Sequence, residues 1–411
     1  MMTDQWEQQK TIDPDSRYGL VLAGGGAKGV YQIGAWRALR ELGIRFDTVV
    51  GTSVGAMNGA LVALDQYEGA MELWRSMSIE RGFQLPMPLR KPDKLFSIKN
   101  ADILVRELWK KHGLDISPLR RCLEELIDEE ALRASRIDFG LVTYEVTGRR
   151  GRELYKQEIP RGRLMDYIMA SAAYPGLIRP QIDGKTYLDG GLVDNVPVRM
   201  MLRRRRSHIV VVNIGDEGLP GDLEPLPDLV YIKPLDKLGT AFEFQPETAQ
   251  TKMELGWFDT MKAFGRYAGD WMYFDNGEYQ RMTAALGADT VSGLEYYARL
   301  IGLDKLRVFP AEEFARELLD CDRVSAEKFR LFRAHTDLST MVKGLVQGKL
   351  SEYNLTGDIL LQLAQSLLED EKKKPRLRAM AQKMVPELMR AAEAMRSLRK
   401  LAANAEAESA G

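Results

Sequence analysis

Three short segments of the chain hold residue types at spacings that can do chemistry. Gly24-Gly25-Gly26-Ala27-Lys28-Gly29 is a G-x-G-x-x-G loop, Gly51-Thr52-Ser53-Val54-Gly55 is G-x-S-x-G, and Asp189-Gly190-Gly191 is an aspartate before two glycines. A serine in G-x-S-x-G, between a strand and a helix, occupies a strained turn that lifts its hydroxyl above a sheet, where it can attack an acyl carbon. Gly51 and Gly55 give room for that turn and for close helix–strand packing. The N–H of Val54, just after the serine, would face the oxyanion formed by the attack.

The glycine loop has two possible uses. In a dinucleotide site the glycines admit pyrophosphate to a helix N-terminus, and an acid ending the second strand holds the ribose. Asp47 is the available acid, but it starts the second strand, whose end is taken by the serine pentapeptide. In the other use, consecutive glycines point backbone N–H groups outward together, ahead of the positive end of a helix, and so stabilise an oxyanion. Lys28 then adds positive charge to the loop or is simply solvated.

A hydroxyl nucleophile needs a base, and the chain has only three histidines. His112 ends a charged helical stretch, His208 opens an apolar strand, and His335 falls in the helical C-terminal part. None has the loop setting of a triad histidine, so a Ser-His-Asp arrangement is disfavoured. Asp189 lies between a short strand and a glycine turn; from spacing alone the ordinary reading is a turn residue.

The elements that must position these groups follow from pattern. The apolar run Tyr18–Ala23 reads as a buried strand, Val30–Leu42 has helical spacing and closes at Gly43, Phe46–Val50 is a second strand, and Ala56–Leu64 a second helix. Tight alternation of this kind predicts a mostly parallel sheet covered on both faces, a three-layer α/β/α arrangement. Residues 66–135 read as mostly helical around a proline-broken loop at 85–92. Ile137–Thr147 and Gly151–Gln157 read as a hairpin, with Arg149–Arg152 in its turn. Leu164–Ala173 and Val196–Leu202 are predicted helices; Lys185–Leu188, Ser207–Ile214 and Leu229–Lys233 are predicted strands, the last two separated by the loop 215–228. Beyond lies a mainly helical region, with a charge run at 369–374 before the final helical tail.

Bulk composition sets limits. The 411 residues, 45% hydrophobic and 28% charged, suffice for a large globular core. A formal net charge of −1 does not indicate attraction to nucleic acid. Cys122 and Cys321 match no metal-ligand spacing, and read as free thiols of a reduced compartment. The polar, acidic first nine residues lack the form of a signal peptide, and no apolar stretch is long enough to span a bilayer. The expected location is therefore cytoplasmic, with any lipid contact peripheral.

Taken together and in order, GGGAKG, GTSVG and Asp189-Gly-Gly191 resemble the patatin-like phospholipases of bacterial type; the flanks ASAAYPGLIRP and GLVDNVPV extend the likeness over residues 17–235. The resemblance implies a Ser-Asp dyad without histidine. Ser53 is then the nucleophile, Asp189 accepts its proton, and Gly24, Gly25, Gly26 and Gly29 form the oxyanion loop. Many members have alanine where Gly191 stands. The implied reaction is hydrolysis of phospholipid, lysophospholipid or related acyl esters through an acyl-serine intermediate. It needs no metal or organic cofactor, and no acidic loop has calcium-ligand spacing.

Domain boundaries are expected at a flexible 1–16, a catalytic 17–235, and a helical 236–411 serving as lid, oligomer contact or regulatory element. Arg203–Arg206 is either a solvated helix end or a phospholipid headgroup contact. In the tail, Leu377, Met380, Met384, Leu388, Ala391, Met395 and Leu398 recur every three or four residues, a stripe fit for a membrane surface, another copy of the chain, or its own domain. Two rival functions remain: a nucleotide-binding oxidoreductase resting on the glycine loop alone, and an interaction protein whose hydrolysis a partner switches on.

Overall fold

The computed structural model of the chain describes residues 16–84, 113–206, 208–221, 223, 228–334, 336, 355–369 and 375–409. His112, His335, the loop at 85–92 and most of the charge run at 369–374 lie outside them. The chain divides into two compact units, Met1–Gly265 and Arg266–Gly411.

The first unit is built on an eight-stranded sheet. In chain order it comprises β1 (Arg17–Leu22), α1 (Val30–Glu41), β2 (Arg45–Thr52), α2 (Val54–Ala63), α3 (Tyr67–Arg75), α4 (Ile79–Gly82), α5 (Ser117–Glu124), α6 (Glu129–Ala134), β3 (Asp138–Glu145), β4 (Arg150–Tyr155), α7 (Leu164–Ser171), β5 (Gln181–Ile182), β6 (Lys185–Asp189), α8 (Val198–Arg203), β7 (Ile209–Val212), β8 (Leu229–Ile232) and α9 (Pro246–Ala263). The strand order is β5-β6-β3-β2-β1-β7-β8, with β4 also paired to β3. β3, β2, β1, β7 and β8 are parallel to one another, whereas β4, β5 and β6 enter antiparallel pairs. The expected mostly parallel sheet is therefore present, with an antiparallel end.

Burial explains the layers. β7 is apolar and buried at every position, as a strand covered on both faces must be. The crossovers β1-α1-β2 and β2-α2-β3 advance in one direction, so right-handed connection puts α1 and α2 on the same face. The chain then returns to the far side of β1, and α8 packs on the opposite face: Gly59 of α2 lies against Val49 and Phe139, whereas Gly19 and Gly140 lie against Met201 and Met200. The order of strands thus reverses between β1 and β7, and the crevice at such a point, beyond the carboxyl ends of the strands, is where α/β sheets hold ligands.

α9 covers α1 at very short range. A Cβ on Gly34 would stand 1.8 Å from the Met253 carbonyl oxygen, and one on Gly256 would stand 2.1 Å from that of Tyr31. The Tyr31 hydroxyl donates to Asp259 across the same contact at 2.8 Å.

The second unit is helical: α10 (Asn276–Leu286), α11 (Ala288–Ile301), α12 (Ala311–Arg333), α13 (Gly357–Glu369), α14 (Pro375–Met384) and α15 (Pro386–Ser409), with one short parallel pair, β9 (Tyr273–Phe274) and β10 (Val308–Phe309). The tail stripe packs inside this unit. Leu388, Ala391, Met395 and Leu398 are buried together with Leu361, Leu363 and Tyr297, whereas Met384 is exposed. Asp322, buried among these helices, accepts hydrogen bonds from Tyr297 at 2.6 Å and Gln362 at 2.8 Å and pairs with Arg399 at 2.5 Å. Among the described residues no helix is long and apolar enough to cross a membrane.

One reading needs correction. Arg150 and Arg152 belong to β4, so the hairpin turn lies before them, with Arg149 at a φ of +50°. The arginine run is largely exposed, and three of its four side chains have ion-pair partners. Arg203 pairs with Glu153, Arg204 with Asp138 at 3.3 Å and with the face of Tyr155, and Arg206 with Asp47 at 2.8 Å. Asp47, the acid required by a dinucleotide site, is thereby committed at the start of β2, a full strand away from the glycine loop.

Candidate active site

Ser53 lies between β2 and α2 with φ 56° and ψ −126°, a conformation a side-chain-bearing residue rarely adopts. The turn is possible because its neighbours lack side chains. A Cβ on Gly51 would stand 2.2 Å from the Gly55 carbonyl oxygen, and one on Gly55 would stand 2.1 Å from that of Leu22. Although Ser53 is the N-cap of α2, its hydroxyl does not cap the helix. It donates instead to Oδ2 of Asp189 at 2.7 Å, across 136 positions of sequence.

The sheet register makes this meeting. β2 pairs with the first part of β3, from Thr48↔Asp138 to Thr52↔Val142. β6 pairs with the rest, from Thr143↔Asp189 to Glu145↔Tyr187. β4 pairs with Gly140–Glu145 throughout, so β2 and β6 must share the other edge of β3. They run towards each other along it, and the ends of the two strands, Thr52 and Asp189, face neighbouring residues of β3.

Asp189 is both turn residue and partner. Its Oδ1 accepts the N–H of Gly191 at 2.7 Å, which starts the 3₁₀ turn Gly190–Leu192, while Oδ2 faces Ser53. The side chain is only 4% exposed. Burial in low dielectric disfavours its charged form and pushes the carboxyl up to about 6; the Ser53 hydroxyl and the Gly191 N–H pull the other way without cancelling it.

Ser171, at the end of α7, fixes the serine turn from below. Its hydroxyl accepts the N–H of Ser53 at 2.9 Å and donates to the Val142 carbonyl at 2.6 Å. This contact has no signature in the sequence, since Ser171 lies 118 positions from Ser53.

The glycine loop runs alongside. Gly26 has a φ of +59°, and a Cβ there would meet the Ala241 carbonyl oxygen at 2.2 Å, so glycine is required. The loop's N–H groups are not equivalent. That of Gly24 is taken by the Asn195 carbonyl at 3.2 Å and that of Ala27 by Ala241 at 2.8 Å. Among the described residues no acceptor meets the N–H of Gly25, Gly26 or Val54. Gly29 is buried against Val54 and Trp74 and serves packing. Both flanks of the loop are pinned by one buried amide chain: Gln32 donates to the Ala23 carbonyl at 2.8 Å, and Asn58 donates to Gln32 at 2.8 Å and to the Gly29 carbonyl at 3.0 Å. Trp74 completes the chain by donating to Asn58 at 2.9 Å.

Gly24, Gly25, Gly26, Ser53, Val54, Asp189, Gly191 and Lys28 all line one cavity of about 410 Å³. Gly29, Gly51, Gly55 and Gly190 do not reach it; they act through close packing, a Cβ on Gly190 meeting the Val142 carbonyl oxygen at 2.2 Å. Away from the polar end the wall is apolar, formed by Leu73, Trp74, Met77, Phe83, Leu123 and Phe244. These wall residues come from α3, α5, the segments after α3 and α4, and the segment leading into α9, which sequence reading did not connect to the serine.

His208 stands at the opposite end of the sheet. It precedes β7, whose Val212 aligns with Leu22 beside the glycine loop, so about four residues of strand, roughly 13 Å, separate it from the cavity. Its ring packs edge-on against Tyr18. Among the described residues no group of His, Cys, Asp and Glu is placed to hold a metal ion.

Residues 20–202 match the family model described as Patatin-like phospholipase. Lysophospholipase NTE1 of Kluyveromyces lactis is 30% identical over 210 residues, which is 48% of this chain and 12% of that protein. Patatin-like phospholipase domain-containing protein ZK370.4 of Caenorhabditis elegans is 28% identical over 214 residues, 48% of this chain and 13% of that protein. The chain thus spans about an eighth of the length of these curated relatives. Among solved structures, VipD from Legionella pneumophila aligns over 93% of this chain and 88% of that one, with 15% identity and a TM-score of 0.39.

Proposed function

We propose, from the match of residues 20–202 to the patatin-like phospholipase model, that the chain hydrolyses acyl esters of phospholipids or lysophospholipids, with Ser53 as nucleophile and Asp189 as its base. One observation carries the reading: a serine hydroxyl on a strained turn, 2.7 Å from a buried carboxylate, at the polar end of an otherwise apolar cavity. A cavity of about 410 Å³ lies within the size of small-ligand sites, roughly 300–1,000 Å³, and its apolar wall suits a fatty acyl chain.

The steps balance with these groups alone. Ser53 Oγ attacks the ester carbonyl carbon as its proton passes to Asp189 Oδ2. The carbonyl oxygen becomes an oxyanion that accepts from the N–H groups of Gly25, Gly26 and Val54, donors already fixed before the charge appears. Gly24 and Gly29 hold the loop in shape. Asp189 returns the proton to the departing alcohol, leaving acyl-Ser53; water then attacks the acyl carbon as it loses a proton to Asp189, and Asp189 gives that proton to Ser53 Oγ as the fatty acid departs. A carboxyl pushed up to about 6 is a better proton acceptor than a solvated aspartate while still ionised at neutral pH. Residues 17–235 are assigned the catalytic role; peripheral contact with lipid belongs to the same reading.

The test incubates the full chain with mixed phospholipid and lysophospholipid, following free fatty acid by mass spectrometry, and labels the protein with a fluorophosphonate. Fatty acid release and a label on Ser53, both lost in Ser53→Ala, are expected. Release that persists in Ser53→Ala would overturn the assignment. Purified protein carrying bound dinucleotide would instead revive the oxidoreductase.

A further inference from the structure

The cavity opens on a surface whose composition points to its partner. Among the described residues of the first unit the exposed large apolar side chains are Tyr174, Ile178, Leu192, Val193 and Leu235. They come from three separate segments, yet each segment leaves its element at the Ser53 end of the sheet. Tyr174 and Ile178 follow α7, whose last residue Ser171 touches Ser53. Leu192 and Val193 follow Asp189 directly. Leu235 follows β8, parallel to β1 and therefore ending on the same side. Leu192 is 55% exposed and Tyr174 is 50% exposed, and both also line the cavity. The apolar wall that would hold an acyl chain therefore continues onto the outer surface, a grouping that marks an interaction site.

We infer that this rim is a docking face for the surface of a lipid aggregate, seated by apolar insertion rather than by charge. The inference rests on the acyl-hydrolase reading, since an ester held in an aggregate must leave it to reach Ser53, and an apolar rim continuous with the cavity shortens that path through water. Charge on the same end is of both signs. Arg179, Lys233 and Lys237 are accompanied by Asp216, Glu217 and Asp236, while Arg150 and Arg152, which flank Gly151 beside Val193, share the buried Glu145 carboxylate with Lys185. The Arg203–Arg206 run lies at the opposite end of the sheet, where Arg204 and Arg206 pair with Asp138 and Asp47 near the starts of β3 and β2. Insertion of the apolar rim would seat the chain on a zwitterionic surface, and ionic strength separates that from seating by charge.

Flotation of the full chain as Ser53→Ala with phosphatidylcholine vesicles, at roughly 0.05 and 0.5 M salt, measures docking without turnover. Comparable binding at both salts is expected. Adding Ile178→Ser, Val193→Ser and Leu235→Ser, three rim positions that do not line the cavity, should weaken vesicle binding by about tenfold or more. In the Ser53 parent the same triple change should slow hydrolysis of vesicle phospholipid but leave that of a dissolved short-chain ester unchanged. Undiminished vesicle binding by the triple variant overturns the inference, as does binding lost at high salt. A chain that ignores vesicles but changes from dimer to monomer on the triple substitution would make the rim a self-association face instead. Failure of Ser53 as nucleophile would show as activity retained in Ser53→Ala, and is read separately from flotation.

Discussion

Replacing Asp189 by asparagine should make the protein more stable and nearly inactive, with the gain in stability appearing only above a definite pH. The carboxyl is 4% exposed and titrates at about 6 in place of 3.8, chiefly because burial disfavours the charged form. In the interval between those values the native state keeps a proton that the unfolded chain has lost. Stability therefore falls as pH rises from about 4 to about 6, and the full cost is present above that. A shift of about two units at about 1.4 kcal/mol each amounts to roughly 3 kcal/mol at neutral pH. Asparagine keeps the shape without the charge: Oδ1 still accepts from Gly191 N–H, and the amide can donate to Ser53 Oγ. Thermal and urea unfolding of Asp189→Asn at pH 8 should show a gain approaching about 3 kcal/mol, or roughly 5–10 °C in Tm, which dwindles near pH 4. Hydrolysis of a soluble ester should drop by about 10²–10⁴-fold, and wild-type kcat/KM should decline below about pH 6 as Asp189 takes up a proton. An equal gain at both pH values would refute the desolvated carboxylate, and near-normal rates in Asp189→Asn would refute its role as base.

Ser171→Ala removes the acceptor of the Ser53 N–H and the donor to the Val142 carbonyl. A loss of about 1–3 kcal/mol is expected, with a fall in kcat larger than any change in KM; a variant matching wild type in both would show that the turn needs no such support. Gly55→Ala would place a Cβ 2.1 Å from the Leu22 carbonyl oxygen, so α2 must retreat from β1. Melting of this variant should reveal a loss of about 3 kcal/mol or more, and an unchanged Tm would contradict the packing described.

What sequence alone determined here is local. A buried strand, a glycine turn and an amphipathic helix each declare themselves within a dozen residues, because burial on both faces demands an apolar run and helical packing demands a 3.6-residue period. β1, α1, β2 and α2 were legible for that reason, and so were the serine turn and the glycine loop. Strands as short as β5, β9 and β10, two residues each, carry no period to read. The same limit applied to choices between equally local patterns. Burial settled the tail stripe in favour of its own unit, and the partners of Arg203, Arg204 and Arg206 came to light only in space, since each depends on what lies opposite.

Tertiary structure decided which groups meet. Asp189 is a plausible turn residue in sequence, and it is one, through Oδ1. Only because β6 continues the edge of β3 where β2 ends does its other oxygen arrive at Ser53, 136 positions away. Hydrogen-bonded register, not composition, sets that encounter, and the enclosure that raises the carboxyl comes with it. Likewise, the loop's glycines look alike in sequence, yet the fold gives the Gly24 N–H to Asn195, buries Gly29 against Trp74, and leaves the N–H groups of Gly25 and Gly26 without an acceptor among the described residues.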